Sequence, residues 1–172
     1  MRPGLIRLNL ALSLDGFIAG PAGGLDWLAP YPAELFGIAD VLASIAAIVM
    51  GRASYEEALR LGPWTYAGKR VCVLTSRPLA SPPAGVEAWR GGIDALAGSV
   101  RKDGDVWLFG GARTVRAFAL AGLIDRYELY VVPELLGDGL RLFESGGARQ
   151  GLRLLEARPY PQGVVALVYA AR

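Results

Sequence analysis

Two adjacent glycines stand where an apolar segment passes into an amphipathic one, in the stretch VWLFGGARTVRAF that spans residues 106–118. Glycine has no Cβ, so the backbone at Gly110 and Gly111 can approach a ligand closely. If a helix begins after them, its first backbone amides point outward and attract negative charge, as at a pyrophosphate site. The amides expected to do so belong to Ala112, Arg113 and Thr114. A plain strand-to-helix turn also explains the glycine pair, and the pattern is neither GxGxxG nor GxxxxGKS/T.

Two arginines follow two other strand-like segments, and each has a hydroxyl residue close by. Arg52 lies in VMGRAS with Ser54 two residues later, and Arg77 follows Ser76 in LTSR. A guanidinium offers a planar fork of N–H donors that matches a phosphate monoester, and a serine hydroxyl adds one more donor. Such pairs suit the 2′-phosphate that distinguishes NADPH from NADH. Taken alone, either arginine is more typical of a solvated surface.

The composition excludes several kinds of catalysis. The chain has no histidine, so it cannot assemble a Ser-His-Asp or Cys-His catalytic group or the usual His/Cys zinc site. An enzyme of this composition depends on a cofactor for its difficult step. The net charge of +2 is spread along the chain, which does not indicate nucleic-acid binding. No apolar run reaches the roughly 18 residues of a membrane span, and the single cysteine, Cys72, fits core packing in a cytoplasmic protein.

The elements that must position these residues alternate between strand-like and helix-like segments. Strands are predicted over residues 5–14, 70–75, 105–109, 126–132, 152–157 and 164–169, and in AAIVMG before Arg52. Helices are predicted from Pro32 with a stripe of Leu35, Ala39 and Leu42, from near Ser54, over residues 93–100 and after Gly111. SLDGFIAGPAGG and SRPLASPP are predicted loops, and the short RPYPQG connection predicts a hairpin. The 172 residues fit one α/β domain, 1–172, with three layers: helices on both faces of a mostly parallel mixed sheet that ends in an antiparallel C-terminal hairpin.

Six motifs occur in a fixed order along the chain: SLDGFIA, DW at Asp26 and Trp27, VMGRASYE, LTSR, FGGARTVRAF and GLIDRYELYVVPELLGDGLRLF. This series resembles the dihydrofolate reductase-like superfamily. Within it, the chain is most similar to the RibD C-terminal domain family, which includes the reductase domain of bacterial riboflavin biosynthesis. The resemblance spans about residues 5–169. It implies a dihydrofolate reductase-like fold and an NADPH-dependent reductase.

The resemblance also implies a role for each of the three segments. In the family, the GRxS/T segment lies against the cofactor phosphates, and it maps to Gly51, Arg52, Ala53 and Ser54. The TSR segment flanks the adenosine 2′-phosphate and maps to Thr75, Ser76 and Arg77. The GG segment holds the pyrophosphate and maps to Gly110, Gly111, Ala112, Arg113 and Thr114. Relatives have a cis peptide bond between the two glycines, so one is expected at Gly110–Gly111.

Hydride transfer from a cofactor needs no protein nucleophile, which leaves a proton source and a substrate pocket to be found. In dihydrofolate reductases a carboxylate at the start of the first helix binds the pterin ring, and YPAEL places Glu34 at that point as a catalytic residue. Helix-dipole stabilisation explains Glu34 equally well. Asp15 is the second catalytic candidate, or else it caps its own loop. Asp26 and Trp27 are candidates for the substrate pocket, where Trp27 would contact a flat heterocycle, or for structural roles.

We therefore expect a cytoplasmic NADPH-dependent reductase that acts on a small molecule of pyrimidine or pteridine type, such as 5-amino-6-(5-phosphoribosylamino)uracil. The alternatives are a true dihydrofolate reductase and a non-catalytic NADP(H)-binding protein. The segment GPAGGLDWL replaces the usual family loop after SLDGxIA, so the substrate stays open. Relatives form homodimers, and the apolar composition leaves surface for one here. No metal, nucleic-acid or membrane partner is expected.

Overall fold

The computed structural model describes residues 2–147 and 149–172. The main sheet is built from β1 (Ile6–Ser13), β3 (Ala47–Gly51), β4 (Arg70–Leu74), β5 (Val86–Trp89), β6 (Val106–Gly110), β7 (Arg126–Val132), β9 (Leu152–Pro159) and β10 (Val165–Ala171). Two short strands, β2 (Phe17–Ala19) and β8 (Leu140–Arg141), pair with each other outside it. The spatial order of the main sheet is β5-β4-β3-β6-β1-β7-β10-β9.

Strand β1 lies in the interior of the sheet, because it pairs in parallel with β6 on one side and with β7 on the other. Beyond β6, strands β3, β4 and β5 continue the parallel arrangement. The direction reverses at the opposite end, where β10 is antiparallel to both β7 and β9. The predicted mixed sheet with an antiparallel C-terminal hairpin is therefore confirmed.

Helices cover both faces of this sheet. Helices α1 (Ile38–Ser44) and α2 (Arg52–Arg60) contribute to the apolar cluster on one face, and α3 (Ile93–Val100) and α4 (Ala112–Leu120) to the cluster on the other. Strand β3 shows the division, since Val49 packs with α3 and α4 while Ile48 and Met50 pack on the α1 side. The three predicted layers are thus confirmed. Among the helices that the structure describes, none combines the length and the apolarity needed to cross a bilayer.

Strand β4 is covered on both faces, as its apolar sequence predicted. Val71, Cys72 and Val73 are all fully buried. Burial, reinforced by the hydrogen bond to Glu87, raises the pKa of the Cys72 thiol to about 12. Because the thiolate is the nucleophilic form, Cys72 serves the core and not chemistry at neutral pH.

The segment after Pro32 is not the single helix that its spacing predicted. A 3₁₀ turn covers Ala33–Phe36, Gly37 adopts a left-handed φ of 60°, and α1 begins only at Ile38. A Cβ at residue 37 would lie 2.5 Å from the hydroxyl oxygen of Tyr130, so the chain passes β7 closely at a glycine. The left-handed backbone at Gly37 separates the 3₁₀ turn from α1, and a larger residue there would collide with Tyr130.

The break also changes which side chains are buried. Phe36 and Val41 fill the interior, whereas Ala39, a member of the predicted stripe, is exposed and Leu35 and Leu42 are only half-buried. A continuous helix would have placed that stripe on one face, but the left-handed turn rotates α1 relative to the 3₁₀ turn.

Three short strands and one helix start also differ from the prediction. Strands β2 and β8 have three and two residues, too few for an alternating pattern to be visible. Strand β5 lies at the edge of the sheet and exposes Glu87 and Ala88, so it lacks an apolar run. Helix α2 begins at Arg52, directly after β3, and not near Ser54.

Candidate functional site

The three segments proposed from the sequence meet at one edge of the sheet. Strands β4, β3 and β6 are neighbours and run parallel, so their carboxyl ends lie side by side. In the sheet register Gly51 is paired with Leu74, and Met50 with Gly110. Helices α2 and α4 start directly after β3 and after the glycine pair. Two helix N-termini and the loop that follows β4 therefore face the same region.

The glycine pair adopts a backbone that suits a close approach. The Gly110–Gly111 peptide bond is cis, as expected from the resemblance, and Gly110 has a φ of 121° that L side chains rarely adopt. A Cβ built on Gly110 would meet no atom of the described residues within 4 Å. The backbone at this point thus borders open space, although Gly110 itself is buried.

The amides at the start of α4 are only partly available, which corrects the sequence-based expectation for Thr114. The Thr114 amide donates to the Gly111 carbonyl at 2.9 Å, and the Val115 amide donates to the same oxygen at 3.1 Å. Ala112 and Arg113 precede them, at positions where a helix offers no intrahelical acceptor. The anion site that the helix can provide consists of those two amides.

The starts of α2 and α4 approach each other closely at Gly51 and Thr114. A Cβ at Gly51 would lie 2.8 Å from the Thr114 hydroxyl oxygen and 3.7 Å from the Gly110 carbonyl oxygen. From the other side, a Cβ at Gly111 would lie 3.5 Å from the hydroxyl oxygen of Ser54. The space between α2 and α4 therefore admits no side chain at Gly51, so this glycine has a packing role as well as its place in the candidate site.

Arg52 points across the sheet edge to the loop after β4. Its Nη1 lies 3.1 Å from Thr75 Oγ1, 3.3 Å from the Arg77 carbonyl oxygen and 3.1 Å from the Pro78 carbonyl oxygen. Its Nε lies 2.6 Å from Glu56 Oε1. Two of its three guanidinium nitrogens are thus engaged by the protein itself, so Arg52 is not the free phosphate fork that the sequence led us to expect.

Other polar groups of the site remain open to solvent. Ala53, Ser76, Arg77 and Arg113 are exposed, and Ser54 is half-buried. Neither the Arg77 nor the Arg113 guanidinium forms a hydrogen bond or ion pair with residues that the structure describes. The uncommitted positive charge at this edge therefore comes from Arg77 and Arg113.

An aromatic surface that the sequence analysis missed adjoins the glycine pair. Half-buried Phe109 directly precedes Gly110, and its ring lies 5.8 Å from that of half-buried Tyr66, edge to face. Trp107 lies 4.9 Å from Phe109 between ring centroids. The alternation of β6 places residues 107 and 109 on one face, so the sequence could have revealed this pair. Tyr66 comes from a loop, and no sequence pattern indicates that it joins them.

Asp15 has a capping role in the structure. Its carboxylate accepts hydrogen bonds from the Ser13 hydroxyl at 2.6 Å and from the amides of Leu136 and Gly137 at 3.2 and 2.8 Å. The Ser13 bond, helped by those amides, lowers the pKa of Asp15. A carboxylate held in its ionised form is poorly suited to donate a proton near neutral pH.

The other candidates differ in accessibility. Glu34 is exposed in the 3₁₀ turn Ala33–Phe36, and Asp26 is exposed at the start of the 3₁₀ turn Asp26–Leu28. Trp27 is buried against Phe36, Val132 and Val164. Its indole Nε1 has no hydrogen-bond partner among the described residues. Water can reach Glu34, whereas Trp27 packs as a core residue.

The fold is that of the dihydrofolate reductase-like proteins. Dihydrofolate reductase from Enterococcus faecalis, solved with NADP(H) and RAB-propyl, matches at a TM-score of 0.73 and 19% identity, over 99% of this chain and 98% of that one. A protein from Shewanella sp. PV-4, assigned provisionally to riboflavin biosynthesis, matches at a TM-score of 0.88 and 24% identity, over 98% and 99% of the two chains. At these identities the likeness establishes the fold alone.

Sequence comparison establishes the family. The profile of the RibD C-terminal domain matches residues 98–166, which include the glycine pair and α4. The Bacillus subtilis (strain 168) protein YwjB, itself uncharacterized, is 31% identical over 161 residues, 91% of this chain and 92% of that protein. This chain belongs to the RibD C-terminal domain family.

We expect the Asp15→Asn substitution to destabilise the protein in a pH-dependent way. Because folding lowers the pKa of Asp15, its contribution is present above the ordinary aspartate pKa of about 3.9 and is lost as the pH falls through the lower folded-state value. The difference in unfolding free energy from the wild type should be greater at neutral pH than in acid. Urea unfolding at a series of pH values measures it.

Asp26→Asn is the matched control, because Asp26 is an exposed carboxylate in a 3₁₀ turn and accepts no hydrogen bond from the residues that the structure describes. Its effect should be small at every pH. An Asp15→Asn effect that stays constant from neutral to acidic pH would contradict the capping role.

Proposed function

We propose that this protein is an NADPH-dependent reductase that transfers hydride to a pyrimidine- or pteridine-type compound. The observation that carries the proposal is the junction at Gly110–Gly111, where the backbone borders open space directly before the first two amides of α4, at the sheet edge that also carries Arg77 and Arg113, both unpaired among the described residues. Membership of the RibD C-terminal domain family supports the reductase class. The E. faecalis enzyme, which shares the fold, binds NADP(H), and this supports the cofactor.

The residues at the sheet edge fit a phosphorylated dinucleotide. The amides of Ala112 and Arg113 would bind the pyrophosphate, since helix N-termini favour anions. Ser76 and Arg77 would bind the 2′-phosphate. Gly51 and Ser54 would border the cofactor between α2 and α4. When bound, NADPH would supply the hydride, so the protein contributes binding, orientation and a route for a proton.

The substrate is proposed to lie on the face of the sheet that carries the aromatic surface. Phe109 directly precedes the glycine pair, and its ring packs edge to face against Tyr66, so the two rings offer flat, apolar contacts to a heterocycle. Glu34 is the carboxylate proposed to bind the ring and pass a proton from solvent, because Asp15 is held ionised in its cap. In the riboflavin pathway that the family resemblance indicates, the substrate would be 5-amino-6-(5-phosphoribosylamino)uracil. We further propose that residues 1–172 act as a single domain in the cytoplasm.

Turnover tests the proposal directly. We expect loss of NADPH absorbance on adding an aminouracil or a pterin from a panel that includes dihydrofolate, and slower turnover with NADH.

Glu34→Gln should reduce kcat at least tenfold without changing the affinity for NADPH, as general-acid losses usually do. Asp40→Asn, which alters another exposed carboxylate nearby, should leave kcat unchanged. Absence of oxidation with every compound of the panel, together with no NADPH binding in calorimetry, would refute the reductase assignment.

The edge strand β9 supports a homodimer. Seven of its eight residues are exposed, including Leu154 and Leu155, and among the described strands none pairs with the outer edge of β9. Such edges pair readily with another chain. Glu156 and Arg158 form an ion pair on one face of the strand, with Nη2 to Oε1 at 2.7 Å. If two copies of β9 pair antiparallel about Ala157, Glu156 of each copy lies opposite Arg158 of the other, which is favourable.

Charge reversal tests this interface. Light scattering after gel filtration should give a dimer for the wild type and a monomer for either Glu156→Arg or Arg158→Glu, since each places like charges opposite one another. The double variant with both changes should recover the dimer. A monomeric wild type, or dimers that survive both single reversals, would show that β9 does not form the interface.

A further inference from the structure

A group of charged and polar side chains is buried between β1 and β7. Arg7 Nε lies 2.7 Å from Glu128 Oε1, and Arg7 Nη2 lies 3.1 Å from Glu128 Oε2. Asn9 is only 2% exposed, and its Nδ2 lies 3.2 Å from the same Oε2. Desolvation offsets much of the attraction in a buried ion pair, so stability alone does not account for this group. What the group does fix is the orientation of the Asn9 amide.

Asn9 and Tyr130 lie on the face of the sheet that α1 covers. Leu8 packs with α3 and α4 on the opposite face, so its neighbour Asn9 points to the α1 side. In the β1–β7 register Asn9 is paired with Glu128, and Ala11 is paired with Tyr130. Because alternate residues of a strand share a face, all four lie on the α1 side, together with the aromatic surface described above.

The Tyr130 hydroxyl is a hydrogen-bond donor that the protein leaves unused. Burial raises the pKa of Tyr130, and the adjoining Asn9 side chain opposes that rise only in part. The phenol is therefore protonated at neutral pH. The hydroxyls of Tyr31 and Tyr127 each donate to a side-chain oxygen. The Tyr130 hydroxyl, in contrast, donates to no acceptor in the part of the chain that the structure describes.

This hydroxyl lies beside the segment that carries Glu34. A Cβ at Gly37 would lie 2.5 Å from the Tyr130 hydroxyl oxygen, and Gly37 directly follows the 3₁₀ turn Ala33–Phe36. The Phe36 ring packs edge to face on the Tyr130 ring at 5.8 Å between centroids. The unused donor is thus next to the carboxylate segment proposed to contact the substrate.

Strand β1 leaves room between Tyr130 and the aromatic surface. It lies between β6 and β7, and neighbouring strands are about 4.8 Å apart, so the backbones of Phe109 and Tyr130 are roughly 10 Å apart. Between them β1 presents half-buried Ala11, whose side chain is a single methyl group. A flat ring that lies over Ala11 can contact Phe109 on one side and reach the Tyr130 hydroxyl on the other.

We propose that the Tyr130 hydroxyl donates a hydrogen bond to a ring carbonyl oxygen of the substrate, and that Asn9 is the positioning residue that orients this hydroxyl. The proposal rests on the reductase function proposed above and narrows its substrates to heterocycles with a carbonyl group on the side of Tyr130. Glu128 and Arg7 act through Asn9, by holding its amide. A site built to donate to a carbonyl discriminates against a compound that lacks one.

Calorimetry with two matched compounds measures this discrimination in protein saturated with NADP⁺. The probes are 5,6-diaminouracil and 2,4,5,6-tetraaminopyrimidine, which has amino groups in place of both ring carbonyls. The wild type should bind the diaminouracil at least tenfold more tightly. Tyr130→Phe should weaken diaminouracil binding roughly tenfold, as expected for one hydrogen bond, and leave tetraaminopyrimidine binding unchanged. Equal binding of the two compounds by the wild type, or an unchanged preference in Tyr130→Phe, would overturn the proposal.

Tyr169→Phe is the matched control. Tyr169 is a half-buried tyrosine of the same sheet, but it packs on the side of α3 and α4. Removing its hydroxyl should leave the affinity for both compounds as in the wild type. A loss of preference equal to that of Tyr130→Phe would show that the effect does not depend on the position of Tyr130.

Asn9→Ser tests the positioning role. It should weaken diaminouracil binding roughly threefold to tenfold in the wild-type background and have no further effect in Tyr130→Phe, because Asn9 acts through that hydroxyl. A merely structural loss would weaken both compounds and persist in the double variant. If Asn9→Ser fails to fold, Glu128→Gln, which keeps the shape of the side chain and removes the charge that holds Asn9, should give the same non-additivity. Additive losses in the pair that folds would refute the role of Asn9.

An NMR titration without any ligand separates failure of this inference from failure of the proposed function. With ¹³Cζ-labelled tyrosine, Asn9→Ser should raise the pKa of Tyr130 above its wild-type value, since the opposing contact is removed. An unchanged pKa would refute the contact on which the positioning role depends, even if the enzyme reduces an aminouracil. If the wild type binds neither compound and oxidises no NADPH, the function proposed above is refuted, and the titration still decides whether Asn9 acts on Tyr130.

Discussion

The approach of β3 to β6 at their carboxyl ends is the constraint on which the candidate site depends. The Cβ position of Gly51 lies 2.8 Å from the Thr114 hydroxyl oxygen, so any larger residue at position 51 would have to displace the Thr114 side chain or separate the two helix starts. This contact brings two helix starts to one place, where both can act on one ligand. The open space next to Gly110 lies at the same edge of the sheet.

Some charged side chains at this edge of the sheet bond to the protein itself, and others are open to a ligand. Arg52 and Asp15 both carry charges that the protein uses internally, the first to hold the loop after β4 and the second to join the end of β1 to residues 136–137. Arg77 and Arg113 carry charges that are open to a ligand. The absence of histidine is compatible with the proposed function, because in hydride transfer the cofactor carries the reaction while the side chains bind and orient the reactants.

Much of the fold was predictable from the sequence, and the site was predictable in part. Apolar runs such as Arg70–Leu74 and the short turn before β10 fixed the parallel strands and the final hairpin, because these signals are local. The break at Gly37 was not predicted, and the close approach of Tyr130 to this glycine is a tertiary feature that the local pattern does not show. The positions of Arg52 and Arg77 were predictable because they follow strand-like segments. The hydrogen bonds from Arg52 to the loop carbonyls were not predictable, because they are tertiary contacts. Motif spacing places residues at a sheet edge, and only tertiary contacts decide which donors remain free.

The most direct test of the account is an NMR titration of the backbone amides with NADPH. The largest shifts should fall on Ala112 and Arg113, whose amides are proposed to bind the pyrophosphate. The neighbouring Thr114 amide, already bonded to the Gly111 carbonyl, should shift less. Saturable binding with unchanged Ala112 and Arg113 resonances, or no binding at all, would contradict the claim that the start of α4 is an anion site.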